Sequence, residues 1–234
     1  MSNFRLAHAA SIWQKPDMQL FVGLGAHRGG IKRYPFDILE LPVSPSLPKP
    51  KTLKEMKEDR SDLTFSLRLH PDVIHTGNAH PDVERACIAR DILGAPVVVV
   101  PTGPRFTPTT SNQNQLRALI DKLATDGCRV AWEPRGVFAP REAERWASEN
   151  GALLVRDLTR EAAYHEGIVY TRLLGLGFGA RVSQDATEIL ASQLESAEFA
   201  YVIVGGEGAK MTRTRLREML DLGDSTEGST CQDI

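Results

Sequence analysis

The sequence predicts an α/β fold, a TIM-type (β/α)8 barrel with a reduced first βα unit. Eight short apolar segments have the composition of β-strands, helical patterns follow most of them, and the chain of 234 residues has about the length of one such barrel. Strands that alternate with helices pair in parallel through right-handed crossovers. An open, doubly wound sheet is the competing architecture, and the absence of a clear GxGxxG dinucleotide turn disfavours it.

Each predicted strand is a short run of apolar, β-branched or alternating residues that ends at a glycine, a proline or a polar side chain. The strands are expected near residues 20–24, 38–41, 64–69, 97–100, 129–133, 152–156, 168–174 and 200–204. The four consecutive valines at 97–100 are typical of a strand that is buried on both faces. Either Val98 and Val100 or Val97 and Val99 should therefore line the barrel interior.

Helical spacing of apolar residues fills most of the gaps between these strands. Helices are expected over 53–59, 81–93, 111–123, 140–150, 184–194 and 210–220. We interpret Thr52 as the N-cap of the first helix, with Glu55 as its capping-box partner. The segment 26–37 has no good helical pattern, so the first βα unit is reduced. One domain over 1–222 is expected, followed by a polar, disordered tail over 223–234.

Composition disfavours several classes of partner. Lysine and arginine number 28 against 30 aspartates and glutamates, so no strong field directs the protein to nucleic acid. Three cysteines without CxxC spacing favour a reducing compartment. No apolar run has the length of a membrane span, and the N-terminus lacks a signal-peptide core. A cytoplasmic protein without a membrane partner is expected, and nothing indicates its oligomeric state.

Charged residues at predicted strand ends indicate a site. The strand over 129–133 ends in Glu133, and Pro134 and Arg135 follow it. A charge at the mouth of a buried strand is costly unless it is paired or solvated, and ligands bind at the carboxyl ends of barrel strands. Asp157 ends the next strand, and Arg172 lies in the seventh, where a buried arginine needs Glu133 or Asp157 as a partner. We expect these four side chains to form one polar cluster.

Each candidate has a functional and a structural interpretation. Glu133, Asp157 and His75, which lies in a loop, are candidate catalytic residues, but the carboxylates could instead pair with arginines and the histidine could be solvated. Arg135, Arg172, Gly175 and Gly177 are candidate anion-binding residues; the glycines follow the seventh strand, where such barrels often bind phosphate, and otherwise form a linker. The cofactor is not indicated. A divalent metal on Glu40, Glu133 and Asp157 is the less favoured alternative.

A family resemblance rests on a series of short motifs in a fixed order. Val130-Ala131-Trp132-Glu133-Pro134-Arg135 resembles a hydrophobic run followed by Glu-x-Arg, Leu154-Val155-Arg156-Asp157 resembles the following strand, and Tyr170-Thr171-Arg172-Leu173-Leu174-Gly175 resembles Tyr-x-Arg-x-His-Gly. Over about residues 20–220 the chain is similar to the YecE-like barrel family (domain of unknown function 72). The resemblance implies a TIM-type barrel and no established activity.

The chain departs from the family pattern at several barrel-mouth positions. Ala26, His27 and Arg28 stand in place of a Gly-Trp-Tyr type segment, Leu174 replaces a histidine, and Gly205-Gly206 replaces asparagines. Two hypotheses follow. In one, the protein is an enzyme that acts on a small phosphorylated or carboxylated substrate at the barrel mouth. In the other, it is a non-catalytic barrel that binds a ligand or partner, and its mouth charges are structural ion pairs.

Overall fold

The fold is an eight-stranded parallel β-barrel surrounded by helices. The computed structural model describes residues 18–27, 29–162, 167–173, 181–205 and 208–222. The strands lie close to their predicted positions: β1 (Gln19–Leu24), β2 (Ile38–Pro42), β3 (Thr64–Arg68), β4 (Val97–Pro101), β5 (Arg129–Glu133), β6 (Leu153–Leu154), β7 (Gly167–Leu173) and β8 (Ala197–Val204). The proposed tail over 223–234 lies outside the described residues, as do residues 1–17.

The strand order closes the sheet into a barrel. Neighbouring strands pair in parallel in the order β6-β5-β4-β3-β2-β1-β8-β7. β6 and β7 are the two ends of this series. The chain just after β6 pairs with β7 through a parallel bridge between Arg156 and Thr171, and the Arg172 amide donates to the Arg156 carbonyl over 3.2 Å. Few residues pair across this junction because β6 is only two residues long. The barrel prediction is confirmed, with its weakest seam between β6 and β7.

Helices cover the outside of the barrel as α1 (Pro50–Asp59), α2 (Val73–Thr76), α3 (Pro81–Leu93), α4 (Thr110–Leu123), α5 (Pro140–Glu149), α6 (Gln184–Leu194) and α7 (Ala209–Met219). Among the described residues between β1 and β2 the regular structure is one 3-10 turn, Ile31–Arg33, so the first βα unit is reduced as predicted. The predicted N-cap of α1 is wrong. The helix starts at Pro50, because proline suits the first helical position, and Thr52 lies inside it.

Side chains that alternate along the strands form two separate apolar layers. Val97 and Val99 face the barrel interior, whereas Val98 and Val100 pack beneath the helices, and all four are almost completely buried. The interior layer consists of Ile38, Val97, Val99, Ala131, Leu153, Val155, Tyr170, Tyr201 and Ile203. In β5 the same alternation turns Trp132 outwards, where its ring lies 5.0 Å from that of Trp146 in α5. Ala131 and Glu133 consequently point inwards.

Candidate functional site

Polar side chains replace apolar ones at the carboxyl end of the barrel interior. All eight strands are parallel, so residues near their ends lie at one mouth of the barrel. Because side chains alternate with a period of two, Glu133 continues the inward face of Ala131, and Arg172 continues that of Tyr170. The group, here called the mouth cluster, consists of Glu40, Ser66, Arg68, Glu133, Arg135, Tyr170 and Arg172.

Glu133 holds two arginines, one on each carboxylate oxygen. Arg68, at the end of β3, donates to Oε2 through Nε and Nη2 over 3.1 and 2.7 Å. Arg135 donates to Oε1 through Nε and Nη2 over 3.1 and 2.8 Å. The Glu133 side chain is 7% exposed, whereas that of Arg135 is 45% exposed. Glu133 and Arg135 of the predicted cluster are therefore paired, and Arg135 is the solvent-facing member of the pair.

Glu40 forms the second half of the mouth cluster across the barrel interior. Its Oε1 accepts from Arg172 Nη1, and its Oε2 accepts from the Tyr170 hydroxyl over 2.8 Å. The Tyr170 hydroxyl also lies 3.0 Å from Ser66 Oγ, so it links β3 to β2. Arg172 was predicted to pair with Glu133 or Asp157; it lies within ion-pair range of Glu133, whereas its hydrogen-bonded partner is Glu40. That prediction missed that side chains from β2 and β7 reach each other across the interior.

Arg172 also lies between the two carboxylates. Its Nε is 3.8 Å from Glu133 Oε2, which is within ion-pair range but too long for a hydrogen bond. This Nε is buried and finds no hydrogen-bond acceptor within the described parts of the chain. Because buried donors are nearly always paired, this guanidinium nitrogen is an exception among the described members of the mouth cluster.

Burial and charge set the protonation states of the mouth cluster. Burial alone would raise the pKa of the Glu133 carboxyl, but the charges of Arg68 and Arg172, with hydrogen bonds from Arg68 and Arg135, outweigh it and lower that pKa. Burial and then the charge of Glu40 raise the pKa of Tyr170 well above its usual range, so this phenol remains a neutral donor. Burial opposes the charge on Arg172, but Glu40 outweighs it and raises the pKa of the guanidinium.

Two glycines leave room for this arrangement. A Cβ at Gly25 would lie 3.0 Å from Glu40 Oε1 and 3.5 Å from Arg172 Nη1, so a larger residue there would press on that ion pair. Gly136, which follows Arg135, has a φ of +125°, and a Cβ there would lie 2.9 Å from the Pro104 carbonyl oxygen. Its conformation and close approach both favour glycine, and they fix the course of the chain after β5.

Two of the candidate catalytic residues lie apart from the mouth cluster. Asp157 accepts hydrogen bonds from the backbone amide and the hydroxyl of Thr159 over 3.1 and 2.6 Å, and it lies 3.8 Å from Arg160. Among the described residues, these contacts of Asp157 all lie within the turn that follows β6. The predicted four-residue cluster therefore contains Glu133, Arg135 and Arg172 but not Asp157. His75 is exposed in the single turn of α2 rather than in a loop.

The described residues do not assemble the suggested metal site. In the described parts of the chain there is no group of three histidine, cysteine, aspartate or glutamate side chains placed to hold a metal ion. The oxygens of Glu133 face two arginines, those of Glu40 face Arg172 and the Tyr170 hydroxyl, and Asp157 is hydrogen-bonded within a separate turn. The candidate anion-binding residues Gly175 and Gly177 lie outside the described residues.

Sequence reasoning left out three members of the mouth cluster as site residues. Arg68 ends β3 and shares the inward face of Ser66, and Tyr170 shares the inward face of Arg172. Side chains two residues apart in a strand share a face, so counting back two residues from Arg68 and from Arg172 leads to Ser66 and Tyr170. The partner of each arginine needs the barrel register as well, which the strand patterns alone do not contain.

Comparison with solved structures shows what the fold resembles. A DUF72 family protein from Enterococcus faecalis V583 superposes with a TM-score of 0.66 at 14% identity, over 88% of this chain and 96% of that one. A DUF72 family protein from Thermotoga maritima MSB8 gives 0.66 at 15% identity, over 87% and 99%. The structural neighbours thus confirm, for the fold, the resemblance to the domain of unknown function 72.

A sugar epimerase has a related architecture. The 3-keto-D-glucoside 4-epimerase from E. coli gives a TM-score of 0.56 at 16% identity, over 86% of this chain and 98% of that one. No protein-family model and no curated protein matches the sequence. At these identities the likenesses establish the fold and leave the activity open. Within the described residues, no helix is both long and apolar enough to cross a membrane.

Proposed function

We propose that the protein is an enzyme whose substrate is a small phosphorylated or carboxylated molecule, held at the mouth cluster by Arg135 and Arg172. The observation that carries the proposal is the buried Arg172 Nε, which lacks an acceptor among the described residues beside a solvent-facing arginine. Guanidinium groups bind carboxylates and phosphates through paired, charge-assisted hydrogen bonds. An oxygen of such a ligand would supply the acceptor that Arg172 lacks.

The charges of the mouth cluster support the same ligand class. Three arginines face two glutamates, so one positive charge is in excess among the described members of the cluster. The described members of the mouth cluster lie on β2, β3, β5 and β7 or, for Arg135, directly after β5, as expected for a site built at strand ends. The E. coli neighbour acts, by its name, on a keto-glucoside, and we extend this to a sugar-derived anion as the substrate class.

Glu133 is the group best placed for proton transfer to or from the substrate. While both arginines hold it, its lowered pKa makes it a weak base. A ligand anion that binds Arg135 would break its hydrogen bonds to Glu133 Oε1 and so remove one of the interactions that lower the pKa of Glu133. Substrate binding would in this way raise the basicity of Glu133 next to the bound molecule.

A non-catalytic barrel is the second candidate, and one observation favours it. Both oxygens of Glu133 and both oxygens of Glu40 already accept hydrogen bonds within the protein. In that case Arg68 and Arg172 balance the two glutamates, and Arg135 is a half-exposed structural partner of Glu133. The mouth charges would then stabilise the barrel and leave a ligand no role.

Calorimetric titration of D-gluconate and D-glucose 6-phosphate separates the two candidates. The wild type should bind at least one of them, more weakly at high salt because screening shortens to about 3 Å near 1 M. Arg135→Ala should weaken binding at least about tenfold, since a hydrogen bond to a charged group contributes about 1.5–3 kcal/mol. Arg105→Ala is the matched control: this exposed arginine follows β4 at the same end of the barrel.

Thermal melts complete the comparison. A true ligand should stabilise the wild type by about 2.7 kcal/mol at a hundredfold excess over Kd, and Arg135→Ala should lose that gain. Arg135 is half-exposed, so this variant should fold even if Arg172 variants do not. No binding of either probe by the wild type, together with a lower melting temperature for Arg135→Ala, would establish the structural candidate instead.

A further inference from the structure

The charge balance of the mouth cluster also selects among anions. We infer that the ligand binds there with a single negative charge, so that a carboxylate such as a sugar acid fits directly and a phosphate ester fits only as its monoanion. This inference rests on the proposed function and adds the charge state of the ligand. It follows from how deeply the charges are buried and how they are paired.

The charges that must be balanced are mostly buried. Glu40 and Glu133 have side chains that are 2% and 7% exposed, and Arg68 and Arg172 are 19% and 16% exposed. Ions taken out of water are tolerated only where opposite charges and hydrogen bonds compensate them. One added negative charge neutralises three arginines and two glutamates. A second would stand unbalanced beside two carboxylates.

The described charged side chains around the mouth cluster are paired with each other or exposed to solvent, which screens their charges. Asp157 and Arg160 offset each other after β6, and Arg105 after β4 is exposed. Other described titratable groups near this mouth include the neutral Tyr170, His27 after β1, His70 with Asp72 after β3, Arg156 with Glu144 and Glu161 after β6, and the exposed Arg181.

A doubly charged phosphate ester would have to bring a proton with it. Its second pKa is about 6, so above neutral pH most of it is a dianion. The proton comes from solvent and can be shared between a phosphate oxygen and Glu133 Oε1, which loses its hydrogen bonds when Arg135 turns to the ligand. Binding of the ester therefore becomes linked to pH, whereas binding of a carboxylate does not.

Measuring Kd between about pH 6 and about pH 8 at constant ionic strength tests this inference. D-Gluconate should bind with nearly constant affinity, because its carboxyl group, with a pKa near about 4, is singly charged throughout. D-Glucose 6-phosphate should bind up to about tenfold more weakly for each pH unit above its pKa, as the monoanion becomes scarce. D-Ribonate and D-ribose 5-phosphate repeat the comparison with a shorter carbon chain, and Arg105→Ala should behave as the wild type.

The outcomes separate this inference from the proposed function. Binding by gluconate or ribonate alone, or phosphate-ester binding that weakens as the pH rises, supports a singly charged ligand. Phosphate-ester affinity that is constant or increases towards about pH 8 would overturn the inference and leave the proposed anion site standing. Failure of all four probes to bind at any pH would overturn the proposed function and this inference with it.

Discussion

Glu133→Gln tests whether the mouth cluster is a buried ionic network. The substitution keeps the shape of the side chain but removes the charge that Arg68 and Arg135 contact through four hydrogen bonds of 2.7–3.1 Å. The new amide nitrogen must also face one of the two guanidinium groups. Removing one partner of a buried ion pair costs about 3–5 kcal/mol. Arg135 is 45% exposed, so solvent weakens its contribution to the ion pair. We therefore expect the free energy of unfolding to fall by about 3 kcal/mol.

Urea unfolding of the wild type, Glu133→Gln and a control measures this loss. Asp59→Asn is the matched control, because it also neutralises a carboxylate that pairs with a cation. Its partner Lys32 is 72% exposed and Asp59 is 39% exposed, so it should lose no more than about 1 kcal/mol. Equal losses for Glu133→Gln and Asp59→Asn, with unchanged denaturant slopes, would show that burial does not strengthen the mouth cluster.

Three further predictions concern the same barrel. Since its arginines lower the pKa of Glu133, the stabilisation is complete above the usual value of about 4.3 and is lost as the pH falls through the lower folded-state pKa. Acid should therefore destabilise the wild type more than Glu133→Gln in urea midpoints; parallel curves would contradict this. Val99→Ala should cost about 2 kcal/mol through an interior cavity, and an unchanged midpoint would contradict the burial of this side chain. Tyr170→Phe should cost about 1–2 kcal/mol by leaving Glu40 and Ser66 short of a partner, which an unchanged thermal melt would refute.

The sequence was sufficient to predict the strands and the end of the barrel at which charges gather. Strand positions follow from composition and a period of two, as in the valines at 97–100. Parallel pairing then places Glu133 and Arg172 at one mouth, because each comes near the end of its strand. The alternation of strands and helices along the chain is enough to predict this placement.

The pairing inside the mouth cluster could not be predicted in the same way. Arg172 reaches Glu40 rather than Asp157 because the barrel interior brings β2 opposite β7, and closure is a property of the whole sheet. Asp157 has a short side chain, and Thr159, two residues later, donates an amide and a hydroxyl hydrogen bond to it. These local hydrogen bonds keep Asp157 out of the mouth cluster although it follows a strand. The start of α1 was missed because Thr52 was interpreted as the N-cap, although Pro50, two residues earlier, suits the first helical turn.

A bromide soak of crystals of this protein, followed by anomalous diffraction, tests the central claim most directly. Bromide is a monoanion that needs no particular carbon skeleton, so it reports on the charge of the site alone. An anomalous peak within hydrogen-bonding distance of Arg172 Nε, and in contact with Arg135, is the predicted result. Bromide peaks at exposed arginines such as Arg105, with none between Arg135 and Arg172, would contradict the anion site.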